Sequence, residues 1–154
     1  MILLLTGPQG AGKTTTARIV AAQLDRGVHL EGDVFRRFIV AGRADMTPDP
    51  SADALAQLRL RYELATRAAQ AYAAAGFDVV VEDVVAGPML ATMAVRYDRV
   101  VVLFPSQETV AQRAGARDAP WVYRLFTDET PRIGTWIDTS ELTPEQAAAA
   151  ILRA

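Results

Sequence analysis

The chain has 154 residues, 51% hydrophobic and 22% charged, a mix that suits one folded domain with a substantial core. Its net charge of −2, from 16 basic and 18 acidic residues, argues against a nonspecific nucleic-acid or anionic-membrane binder, so neither partner is expected. The lack of cysteine excludes disulfides, thiolate catalysis and cysteine-ligated zinc, and the single histidine, His29, excludes a multi-histidine metal site.

Ile2–Leu5 is a continuous aliphatic run ending at Thr6-Gly7, as expected of a strand buried on both faces. It is too short for a signal-peptide core, and no run approaches the roughly 20 apolar residues of a membrane span, so a cytoplasmic protein is expected. Ala17, Val20, Ala21 and Leu24 recur at helical spacing and predict a helix from Lys13 to about Asp25, with Gly27 as its stop. Val28–Glu31 predicts a second strand ended by Gly32-Asp33, and Val34 to about Ala41 a second helix. Gly42–Pro50 is rich in turn formers and reads as a loop. Ser51 caps a long predicted helix reaching about Ala75, with Leu55, Leu58, Tyr62, Ala65, Ala69 and Tyr72 as its buried stripe. Phe77–Glu82 predicts a third strand, Pro88–Val95 a short helix and Val100–Phe104 a fourth strand, after which Ser106 caps another helix. Thr135–Ile137 suits a fifth strand, and Thr143-Pro144-Glu145-Gln146 is a capping box opening a terminal helix. Strands alternating with helices, with apolar strand centres, predict a three-layer α/β domain spanning 1–154: a parallel sheet with helices on both faces.

Gly7-Pro8-Gln9-Gly10-Ala11-Gly12-Lys13-Thr14 matches G-x-x-x-x-G-K-[ST]. Glycines let main-chain N–H groups converge on phosphate oxygens, and the following helix aims its positive end at the same point. Lys13, the only lysine in the chain, is expected to reach the β- and γ-phosphates, and the Thr14 hydroxyl to hold Mg²⁺, with Thr15 beside it. The motif implies Mg-ATP or a related nucleoside triphosphate.

In an open parallel sheet, ligands sit beyond the carboxyl ends of the strands. There the sequence delivers Glu31-Gly32-Asp33, Glu82-Asp83 and Asp138-Thr139-Ser140, which are expected to face one mouth. Asp33 is the candidate base for an acceptor hydroxyl. Glu82 or Asp83 is expected to serve Mg²⁺ through its water shell, and both can border the acceptor. Arg36 and Arg37 are placed to clamp an acceptor, while Arg113 and Arg117, spaced i, i+4, are expected to share a helix face over the nucleotide and to neutralise charge on the transferred group. Arg124 and Arg132 are further options, and His29 reads as a partly buried strand residue.

With these residues in place, the chain resembles the small-molecule kinases of the P-loop superfamily, particularly the chloramphenicol phosphotransferase-like group. The resemblance rests on the GPQGAGKT loop, Gly32-Asp33, Glu82-Asp83 after the valine run, Arg113/Arg117, and Ile137–Ser140. It implies an adenylate-kinase-like sheet of five strands in the order 2-3-1-4-5, with a short lid over about 106–131. It further implies ATP-dependent phosphorylation of a small-molecule hydroxyl, an aspartate like Asp33 as base, and Thr139-Ser140 near the adenine. A monomer or homodimer is expected. The competing expectations are a nucleotide or polynucleotide-end kinase and a non-catalytic ATP-binding regulator. A mechanical AAA-type ATPase is not expected, because the chain leaves no length for a helical domain after the core.

Overall fold

A computed structural model describes residues 1–154. Five strands, β1 (Ile2–Thr6), β2 (Gly27–Glu31), β3 (Asp78–Glu82), β4 (Arg99–Leu103) and β5 (Thr135–Ile137), form one sheet in the order β2-β3-β1-β4-β5. Every pairing is parallel. The helices are α1 (Lys13–Ala22), α2 (Asp33–Arg37), α3 (Ala52–Ala74), α4 (Met89–Ala94), α5 (Gln107–Ala114), α6 (Pro120–Asp128) and α7 (Pro144–Arg153).

Strand alternation divides the core between the two faces of this sheet. Ile2, Leu4, Val79, Val81, Val100 and Val102 point to one side, where Tyr62, Ala65 and Ala69 of α3, Leu90 and Met93 of α4, and Val122 and Phe126 of α6 cover them. Leu3, Leu5, Val80, Val101 and Leu103 point to the other, under Ala17, Val20 and Ala21 of α1 and Ala148 and Ile151 of α7. Both faces are covered, so the strand centres are continuously apolar.

Several helix boundaries differ from the predicted ones. The first helix stops at Ala22, where Gln23 and Leu24 close a tight turn onto Val20 and Ala21 and the chain enters β2 at Gly27. α2 is only five residues long, because Phe38 and Val40 beyond it are exposed and find no apolar surface to bury. Tyr72 is also exposed, packing edge-on against Phe77 instead of joining the core. The lid expected over about 106–131 contains two helices, α5 and α6. Phe104 at the end of β4 stacks on Tyr123 of α6 at 4.8 Å, and Trp136 of β5 lies edge-on to both Phe104 and Phe126. The Arg132 guanidinium covers the outer face of Trp136 at 4.0 Å.

Three strand exits converge. The ladder continues one residue past β3 and β2, with Asp83 N–H donating to Leu5 O at 3.2 Å and Gly32 N–H to Glu82 O at 2.9 Å. That continuation sets the residues after β1, β2 and β3 side by side.

Candidate active site

A single cleft of about 1,090 Å³ lies beyond those exits, lined by the loop after β1, by α2, α3 and the end of β3, and by the α5–α6 segment. Gln9, Gly10, Gly12, Lys13, Thr14 and Thr15 line it, whereas Gly7, Pro8 and Ala11 form the back of the loop. Gly10 has φ 85°, and a Cβ there would lie 2.5 Å from the carbonyl oxygen of Val110, so the motif glycine also lets α5 approach the loop.

Lys13 is buried and its Nζ donates to Pro8 O at 3.0 Å. Burial lowers its pKa to about 8, against the opposing pull of Glu82 and Asp83, so an arriving polyphosphate would relieve a desolvated cation. The Thr14 hydroxyl donates to Glu82 Oε1 at 2.8 Å. Of the two acids ending the valine run, Glu82 is therefore the one beside Thr14. A hydroxyl and a carboxylate oxygen in contact suit a hard, oxygen-preferring cation such as Mg²⁺.

Asp83 is engaged differently. It is buried, accepts the main-chain N–H of Val84 at 2.7 Å, and is gripped by the Arg61 guanidinium, whose Nε donates to its Oδ2 at 2.9 Å and whose Nη2 donates to its Oδ1. Gly32 lies directly against this carboxylate, and any side chain there would overlap Asp83. Arg61 also reaches Asp33, with Nη1 3.1 Å from Oδ1.

Asp33 opens α2 on the cleft wall and accepts from Arg36 Nε at 2.8 Å. Its partial burial favours the protonated form. The hydrogen bond from Arg36 and the charges of Arg61, Arg36 and Arg37 outweigh burial and hold the carboxyl below its ordinary range. Arg36 is shared with Asp45 at 2.8 Å, and Arg37 turns to Glu31 at 3.1 Å. His29 faces Glu82, with Nε2 4.0 Å from Oε1 and no hydrogen-bond partner of its own. Burial keeps the imidazole pKa low, so His29 is neutral near pH 7.

Two expectations are corrected. Arg113 and Arg117 do not share a helix face: α5 ends at Ala114, Gly115 takes φ 55°, and Arg117 sits on a separate one-turn 3₁₀ segment, Gly115–Arg117. Both still line the cleft. Asp138 does not join the acidic mouth, because its carboxylate accepts the Ser140 N–H at 2.9 Å and the Ser140 hydroxyl at 2.5 Å, outside the cleft.

Thr139 and Ser140 lie behind the loop: the Thr139 hydroxyl donates to Ala11 O at 3.4 Å, and Ser140 Oγ accepts the Ser106 N–H at 2.8 Å. Arg113 Nη2 donates to Thr139 O at 3.0 Å, tying α5 to this segment. Arg124 and Arg132 do not line the cleft. The residue that sequence reasoning missed is Arg61. Its signal was a charged residue within the apolar stripe of the long helix, between Leu58 and Tyr62.

A family model described as an AAA domain (AAA_33) matches residues 2–129. The match runs from β1 to the end of α6. An adenylate kinase from Thermobifida fusca is 30% identical over 135 residues, spanning 76% of this chain and 67% of that protein. Among solved structures, shikimate kinase from Acinetobacter baumannii in complex with shikimate superposes with a TM-score of 0.66 at 19% identity, covering 99% of this chain and 90% of that one. The tunicamycin resistance protein of Deinococcus radiodurans gives a TM-score of 0.67 at 18% identity, covering 99% and 93%. At these identities the two structures show the fold: that of the P-loop kinases.

Proposed function

The chain belongs to the AAA domain family and has the P-loop kinase fold, and on that premise we propose that it transfers the γ-phosphate of Mg-ATP to a hydroxyl of a small molecule. The observation that carries this reading is the meeting of Lys13, Thr14, Glu82 and Asp33 in one cleft. In this reading the main-chain amides of Gln9, Gly10 and Gly12–Thr15, with the Lys13 ammonium, hold the polyphosphate. Thr14 and Glu82 hold Mg²⁺, which supplies charge neutralisation on the phosphates. Asp83 serves indirectly, by fixing Arg61.

Asp33 accepts a hydrogen bond from the acceptor hydroxyl and orients its oxygen toward the γ-phosphorus. The new O–P bond forms as the bond from the γ-phosphorus to the β,γ-bridging oxygen breaks, ADP leaves, and the hydroxyl proton passes through Asp33 to solvent. Phosphoryl transfer depends chiefly on positioning and electrostatics, so a low-pKa carboxylate can serve as the orienting group. Arg117 meets charge on the transferred group, Arg36 and Arg37 border the acceptor, and Arg113 with Thr139 and Ser140 holds the nucleotide side. We take 1–154 as a single kinase domain with a short lid over about 106–131, acting in the cytoplasm as a monomer or homodimer without nucleic acid. No helix of the structure is long and apolar enough to cross a membrane.

The chloramphenicol phosphotransferase-like group remains the proposed branch, in keeping with the tunicamycin resistance protein among its structural relatives. The adenylate kinase relative favours a second reading in which a nucleoside monophosphate is the acceptor. The test is transfer of label from γ-labelled ATP with Mg²⁺ to a panel of metabolites and antibiotics. The expected result is a labelled small molecule, and loss of transfer with retained ATP binding in Asp33→Asn. ATP binding with no acceptor-dependent turnover would instead indicate a regulator.

A further inference from the structure

The cations of the cleft fall into two sets. Lys13, Arg113 and Arg117, on the phosphate side, pair with no carboxylate: Lys13 and Arg113 meet only main-chain carbonyls, and Arg117 makes no hydrogen bond or ion pair. Arg36, Arg37 and Arg61, on the side of Asp33, are all committed. Arg61 serves Asp83 and Asp33, Arg36 serves Asp33 and Asp45, and Arg37 serves Glu31. Arg43 adds a contact to Asp45 at 3.5 Å, so four guanidinium groups meet the four carboxylates Glu31, Asp33, Asp45 and Asp83, and the acceptor end holds no unpaired cation.

The central pair does not release its cation readily. The Arg61 and Asp83 side chains are 13% and 2% exposed, so turning Arg61 toward a substrate anion would strand a buried carboxylate. The polar groups nearby are also spent: the Tyr62 hydroxyl donates to Val84 O at 2.6 Å, and Gln57 bonds Ala44 N–H and Gly42 O. The remaining wall is apolar, with Phe35, Met46, Leu58, Met89, Trp121 and Leu125 along it.

From this division, and resting on the phosphotransfer reading above, we infer that the acceptor is an uncharged alcohol with an apolar body. A carboxylate or phosphate on the acceptor would find no unpaired cation beside Asp33 and would have to break an existing ion pair to gain one. An apolar body would gain from leaving water against the wall.

The test incubates the full-length protein with γ-³²P-ATP, Mg²⁺ and a small-molecule extract of the source organism, with Asp33→Asn as blank. The labelled compound is isolated and dephosphorylated, and its parent is followed by mass through an anion exchanger and a reverse-phase column. In parallel, ADP formation is measured with adenosine against AMP, and with methyl shikimate against shikimate. The expected parent passes the exchanger and is retained on reverse phase, and neither anion exceeds its neutral counterpart in stimulating ADP formation. A parent held on the exchanger, or AMP or shikimate preferred by about tenfold or more, overturns the inference while leaving phosphotransfer standing. ATP binding without any labelled product overturns phosphotransfer and the inference together.

Discussion

Asp33 accepts from Arg36, lies beside Arg61 and Arg37, and is held below the ordinary carboxylate range. It is therefore ionised throughout the neutral and mildly acid range, with its titration midpoint below the ordinary value of 3.8. The expected kcat profile shows no acid limb from this group above about pH 5; a limb near pH 6–7 that disappears in Asp33→Asn would contradict the assignment. That variant is expected to lose about 10²-fold or more in kcat with ATP affinity retained. Gly32 gives a second prediction, because Asp83 occupies the space of its missing side chain. Gly32→Ala is expected to displace the Asp83–Arg61 pair and cost on the order of 1–3 kcal/mol in urea unfolding. The placement of Lys13, Thr14 and Asp33 in one cleft was legible because each follows a strand at fixed spacing. Arg61 was not, since a lone arginine on a long helix shows its importance only when the carboxylates it meets are known.

At the scale of elements, the apolar runs of Leu3–Leu5, Val79–Val81 and Val100–Val102 marked three central strands, because a strand covered on both faces needs no polar alternation. The lid was harder to read. Gly115 ends α5 at a positive φ, and the following turn puts Arg117 out of phase with Arg113, so the i, i+4 spacing gave a false helical face. The break also divides the work of the two arginines. Arg113→Ala is expected to loosen the Thr139–Ser140 segment behind the loop and weaken ATP binding, seen by calorimetry. Arg117→Ala, which removes a side chain without a protein partner, is expected to lower kcat by on the order of 10³ with ATP affinity little changed. Equal effects of the two on affinity would contradict this division.

For the whole molecule, one ion-pair cluster ties distant parts together. Glu63 of α3 accepts from Arg67 at 2.6 Å and from Arg96, beyond α4, at 2.5 Å, and these bonds pull its pKa from 4.5 to about 2. A lowered acid pKa stabilises fully above pH 4.5, and the benefit fades as pH falls toward 2. Glu63 and both arginines lie at the surface within reach of solvent, so the effect is small. Glu63→Gln is expected to lower Tm slightly at pH 7, with the gap from the parent protein closing at acid pH; a gap independent of pH would contradict the pairing. The stacking of Phe104, Tyr123, Phe126 and Trp136 has a different reach. It rivets α6 to β4 and β5, so any swing of the cover above the cleft is confined to the few residues between Ala114 and Pro120. Such a short flap travels only a small distance and reopens quickly, so spent nucleotide should leave without waiting on a large rigid-body excursion.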